Sequence, residues 1–228
     1  MISNKLARSA LRPIGICCVL GMLSACEASM EDVIAKHRPA TEEVFRKLKA
    51  LDTPAQTTPP LTEDRVKIDG ERVVLEGEDS NALFILAYDL RAPESASDEP
   101  TGARRAFIVK GCGELLRGEF RGAPPGATAF FKQCSAAKFA FVLRTTNEMQ
   151  PMLIDEKSFR PGVFEGEVLL FRLADGALLG GFRVFAESSA EVSAKTDLIV
   201  TQLSEDVNLK LSADIDAKLQ QHVPGVIP

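Results

Sequence analysis

The chain has 228 residues, 27 Lys and Arg against 32 Asp and Glu, no tryptophan, one tyrosine and 13 phenylalanines. That acidic balance argues against non-specific nucleic-acid binding, which needs a basic face to neutralise phosphates. With two histidines and five cysteines, there is also little material for a zinc site or a Ser-His-Asp constellation.

The first 26 residues read as a secretory segment. Lys5, Arg8 and Arg12 make a basic start, and no acidic residue precedes Cys26. Pro13 to Leu23 is an apolar run, about half of the roughly 20 residues a membrane-spanning helix needs. Leu23-Ser24-Ala25-Cys26 follows.

This tetrapeptide resembles the lipobox of bacterial lipoproteins, and the resemblance covers residues 1–26 only. It implies cleavage between Ala25 and Cys26, a diacylglyceryl thioether on Cys26 and acylation of the new amine. Two or more acyl chains anchor a protein stably in a membrane, where one is marginal. In that family Asp after the cysteine often means inner-membrane retention. Glu27 stands there, so the resemblance favours the outer membrane. Removing the leader leaves 24 basic residues against 32 acidic ones, a mature chain near −8.

Three divisions are expected: the signal at 1–25, a lipidated helical segment and linker at 26–63, and a domain at 64–228. Residues 29–51 carry apolar residues at helical spacing, with Ser29, Glu31 and Asp32 as a start signal. Pro39 predicts a kink or two helices, the second beginning near Thr41. Residues 52–63, rich in Pro and Thr, read as a loop.

Residues 66–75 alternate around Asp69-Gly70, which predicts a hairpin. The apolar run 82–90 suits a central strand, 91–102 a polar loop and 104–110 another strand. Gly111-Cys112-Gly113 reads as a turn, 127–136 as a helix and 138–146 as a strand. Residues 163–188 describe a long hairpin turning at Ala174-Asp175-Gly176. Phe164, Val168, Leu170, Phe182, Val184 and Ala186 form its inward face, and Gly180-Gly181 marks a bulge or close backbone approach. Residues 194–220 carry a helical stripe from Leu198 to Leu219, with Ser212 a candidate cap of a second segment.

These elements predict an α+β fold: a mainly antiparallel sheet of about five to seven strands flanked by N- and C-terminal helices. Both terminal helices are expected on one face of it.

Cys112 and Cys134 form an even pair in what the signal makes an oxidising compartment, and read first as a disulfide. Free buried thiols and a metal or redox site are the alternatives. If Cys112 follows a strand and Cys134 ends a helix, the bridge pins helix to sheet.

Candidate chemistry is thin. Glu165 and Glu167 share one face of a strand, and Asp155 lies beside Glu156; such pairs serve glycoside chemistry only across a groove. Asp89, Glu94, Asp98 and Glu99 lack calcium-loop spacing. His37 reads as a solvated helix-end residue, and His222 lies near the other end of the chain. Phe130, Phe131, Phe139 and Phe141 read as core, with a Phe-lined lipid pocket as the sharper alternative. The expectation is a non-enzymatic envelope lipoprotein without cofactor or metal, docking a partner through its sheet or loops. A small-ligand or lipid-binding module comes second, and an enzyme built on acidic residues third.

Overall fold

The computed structural model describes residues 29–75, 77, 79–96, 107–155, 158–190, 198–223 and 226. Cys26 and the whole leader lie outside these residues.

Helix α1, Met30–Ala50, starts at a capping box. The Asp32 N–H donates to the Ser29 hydroxyl at 3.2 Å, and Asp32 Oδ2 accepts from the Ser29 N–H at 3.3 Å. Pro39 lies inside α1, which runs through it as one helix rather than two. Packing holds both halves. Val33 is buried beside Leu115 and Phe131, while Val44, Phe45 and Leu48 join the core on the sheet. Burial of such side chains, about 1.5–3 kcal/mol each, offsets a proline penalty of about 3 kcal/mol. The expected loop after it contains a short helix α2, Asp52–Thr57.

The Asp69-Gly70 hairpin does not form. Its first arm supplies β1, Arg65–Val66, which pairs antiparallel with a late strand, Arg65 opposite Gly181 and Val66 opposite Gly180. The second arm instead bonds to the start of the next strand, Ala82 N–H donating to Val74 O at 3.2 Å. Both arms find better partners than each other.

Strand β2, Ala82–Leu86, is buried throughout but lies at a sheet edge, not its centre. Its unbroken apolar run reflects burial on both faces beside a parallel neighbour. The chain leaves it through 3-10 turns at Ala87–Arg91 and Pro93–Ser95.

The predicted strand at 104–110 is overturned over its described part: helix α3 spans Phe107–Arg117. Ile108, Val109, Cys112 and Leu115 are buried at helical spacing. The Gly111-Cys112-Gly113 segment is helix interior, not a turn. Gly113 is there for close approach, because a Cβ on it would overlap the Glu94 carbonyl oxygen. Helix α4, Pro124–Ser135, follows with prolines in its first turn.

Strand β3, Phe139–Met149, leads to a small hairpin of β4, Met152–Leu153, and β5, Phe159–Arg160. Strands β6, Val163–Arg172, and β7, Ala177–Glu187, form the expected long hairpin. A register shift falls after Leu170–Gly180. Gly180 has φ +119°, and a Cβ there would overlap the Arg65 carbonyl oxygen; bulge and close approach coincide. Helix α5, Ile199–His222, is continuous through Ser212.

The main sheet runs β1-β7-β6-β3-β2. The β2–β3 pair is parallel and the others antiparallel, so the α+β sheet is mixed. Strands β2 and β3 point the same way because α3 and α4 carry the chain back between them. One face, with Phe84, Phe141, Leu170 and Phe182, packs on Val207, Leu211, Ile215 and Leu219 of α5. The other, with Ile85, Val142, Leu169 and Phe171, packs on α1, α3 and α4. The terminal helices therefore cover opposite faces. A sheet apolar on both sides cannot leave one of them to water.

Candidate functional site

The helical cover on the α1 side stops partway along the strands. Its limit is a buried ion pair, Arg144 of β3 with Glu167 of β6. The Arg144 guanidinium also donates to Ala55 O at 2.9 Å and Thr58 O at 2.6 Å. Glu167 accepts the Leu61 N–H at 2.7 Å. Fully partnered, the pair straps α2 and its following loop to the sheet.

Beyond that row the same face is open. Register places Asn147, Met149, Glu165 and Phe185 on it, with Arg183 at its border in the Glu167 row. All five are exposed; Phe185 is 52% and Met149 41% accessible. Met152 and Ile154, 49% and 63% accessible, follow in the β4 hairpin at the same end of β3. Arg183 is held by Asp64, its Nε at 2.8 Å from Oδ1.

At the other end of the strands is a cleft of about 440 Å³. Ile68, Phe139, Leu173 and Leu179 supply apolar wall, and Lys47, Lys138, Arg172, Asp69 and Glu71 bring both signs of charge. Lys138 lies 3.3 Å from Glu71, and Arg172 2.8 Å from Asp175. The Arg172 hydrogen bond is the main influence holding the Asp175 carboxyl down, to about 2.

The sequence candidates disperse. Glu165 and Glu167 do share a face, but Glu167 is 3% accessible and committed to Arg144 while Glu165 is exposed. They face no groove as a pair. Asp155 accepts the Ser158 N–H at 2.8 Å; Glu156 lies outside the described residues. Glu94 pairs with Lys49 at 2.9 Å, Asp89 is buried, and Asp98 and Glu99 are outside the described residues. Among the described residues no three His, Cys, Asp or Glu side chains gather as a metal site requires.

His37 is not simply solvated: it stacks on Phe131 at 5.6 Å. Burial, then the charges of Lys36 and Lys132, push its imidazole below the usual value. His222 stacks on Phe182 at 6.2 Å, on the α5 face of the sheet. Phe131, Phe139 and Phe141 are core, at most 1% accessible, and Phe130 packs beside Phe120. Cys112 and Cys134 are bonded to each other with Cα atoms 6.7 Å apart. Because Cys112 is in α3, the bridge pins helix to helix rather than helix to sheet.

Arg144, Phe185 and the charged residues of α5 escaped sequence reasoning. A signal for the last existed: Asp206, Lys210, Asp214 and Lys218 recur every four residues.

No family model matches this chain, and no curated protein matches it. Among solved structures it is similar to a Caulobacter crescentus CB15 protein, provisionally described as a lipoprotein. That match is 10% identical, covers 63% of this chain and 88% of the other, and has a TM-score of 0.29. A likeness that slight carries no argument. No described helix is long and apolar enough to cross a membrane.

Proposed function

We propose that this chain is a lipid-anchored, periplasm-facing envelope lipoprotein of the outer membrane, acting as a non-enzymatic accessory module that docks a partner protein. The leader and Leu23-Ser24-Ala25-Cys26 support the anchor. The observation that carries the docking is the open half-face around Phe185, a residue 52% accessible near the end of β7. Large apolar side chains on uncovered sheet are characteristic of contact surfaces. Anchoring restricts the domain to one membrane surface, which raises its effective concentration against partners there. A photo-crosslinking amino acid at position 185 in the native host is expected to trap a discrete heterologous adduct. The adduct should be absent when the crosslinker replaces Leu209, an exposed residue of α5. Only uncrosslinked monomer at both positions overturns the reading.

A second reading rests on the 440 Å³ cleft, whose apolar wall and mixed charges suit a small amphiphilic ligand. Native mass spectrometry of host-purified protein should then show a constant added mass, abolished by Leu173→Lys. A bare mass removes this reading and leaves the first intact.

A further inference from the structure

The distance from the anchor to the folded domain is short. Three residue steps separate Cys26 from Ser29, the cap of α1. An extended chain covers at most about 11 Å in that span. Whatever path residues 26–28 take, the Cα of Ser29, the cap of α1, stays within about 11 Å of the Cys26 Cα. We infer that the pole of the domain around this turn lies against the bilayer headgroups, resting on the reading of Cys26 as lipidated.

The pole is built from two elements. Met30, Val33 and Ile34 pack with Leu115, Leu116 and Phe120 of the α3–α4 region. Arg38 ties them together, donating to Leu116 O at 3.1 Å. Arg121 follows Phe120 directly and is exposed. Lys36, Arg38, Arg117, Arg121 and Lys132 stand here against Glu31, Asp32, Glu42, Glu114 and Glu119, with Arg38 paired to Glu42 at 3.3 Å. Five cations against five carboxylates make this a balanced surface on a mature chain close to −8. It meets anionic headgroups with less repulsion than the remainder of the molecule does.

The opposite pole follows from the length of α1. Twenty-one residues extend about 30 Å. At its far end, Leu51 approaches Gly176 in the β6–β7 turn, and Lys47 lines the cleft together with Ala174. The cleft and that turn therefore face the aqueous compartment, roughly a helix length from the lipid.

The test uses the full lipidated protein in vesicles of phosphatidylethanolamine and phosphatidylglycerol containing a nickel-chelating headgroup lipid as short-range quencher. One fluorophore is attached through Arg121→Cys or, separately, Ala174→Cys; both positions are exposed. Nickel is expected to extinguish emission from position 121 and leave position 174 unchanged. Equal quenching, or the reverse order, overturns the orientation. Intact mass of the same samples separates the two levels of inference. Acyl chains on Cys26 with the wrong quenching order remove the orientation alone, whereas an unacylated chain removes the anchor and the orientation with it.

Discussion

Asp214 of α5 accepts the backbone N–H of Phe185 in β7 at 3.0 Å, standing where the carbonyl of a neighbouring strand would otherwise stand. It is one rung of a series. Asp206 accepts the Ser189 N–H at 2.6 Å, and Lys210 donates to the Glu187 carbonyl at 3.0 Å. Lys218 lies 3.4 Å from Asp64, whose other oxygen accepts the Arg183 N–H at 3.1 Å. Each step of four along α5 matches two along β7. Four helical residues rise about 6 Å and two strand residues about 6.8 Å, so the periods stay in register for this length. β1 covers only the Gly180–Gly181 stretch of β7. The ladder satisfies the strand beyond it, where an open edge would invite pairing with another chain.

Asp214→Ala therefore leaves the Phe185 N–H without its partner. Loss of about 1 kcal/mol is expected, read from urea denaturation. A concentration-dependent rise in apparent mass by light scattering should accompany it as the edge opens. Unchanged stability and a strictly monomeric variant would show that the contact is incidental.

The same ladder makes stability depend on acid. Burial pushes the Asp64 carboxyl up, but hydrogen bonds and charge from Arg183, with Lys218, outweigh it and hold the group below its ordinary value. A carboxyl depressed in the folded state contributes stability that is complete above its unfolded pKa, about 3.9. That contribution is lost as pH falls through the folded value. Urea midpoints should thus decline in that acid window, and Asp64→Asn should flatten the decline while lowering stability at neutral pH.

The Arg144–Glu167 pair gives the steepest single-residue effects. Arg144→Met strands a carboxylate that is 3% accessible, and breaking such a pair costs about 3–5 kcal/mol. Replacing both, with Glu167→Met added, should recover much of the loss. A double-mutant cycle in denaturant measures the coupling; strictly additive losses would refute the strap.

Cys112 and Cys134 close a loop with a sequence separation of 22. Reduction, or the paired change Cys112→Ala and Cys134→Ala, is expected to cost about 3 kcal/mol in the chain-entropy treatment. Thermal unfolding with and without reductant, checked by a two-proton mass difference, decides it. The α3–α4 region should lose hydrogen-exchange protection before the sheet does.

Elements with strong local patterns were readable in advance. The β6–β7 hairpin follows from alternation on either side of Ala174-Asp175-Gly176. α5 follows from apolar residues every four positions, all of which, from Ile199 to Leu219, are buried. Helix α3 was misread because glycines flanking Cys112 look like a turn in isolation; only the approach of the Phe130 ring to Gly111 and of the Glu94 carbonyl to Gly113 reveals why they are small. The half-face around Phe185 was not legible either: the alternation that turns Phe182, Val184 and Ala186 one way puts Phe185 on the other face, and only the tertiary structure leaves that stretch uncovered.

The amino-acid order alone determines the proposed anchoring segment, the apolar run of β3, the patterned β6–β7 hairpin, the capped start of α1 and the pairing potential of two cysteines. These depend on neighbours a few residues away, and short-range sterics, hydrogen bonding and hydrophobic period encode them. Tertiary structure decides that β2 joins the sheet edge in parallel, that the terminal helices take opposite faces, that Glu167 serves Arg144, and that Phe185 is left in water. Those outcomes depend on which distant surfaces compete for the same burial, and no local pattern carries that competition.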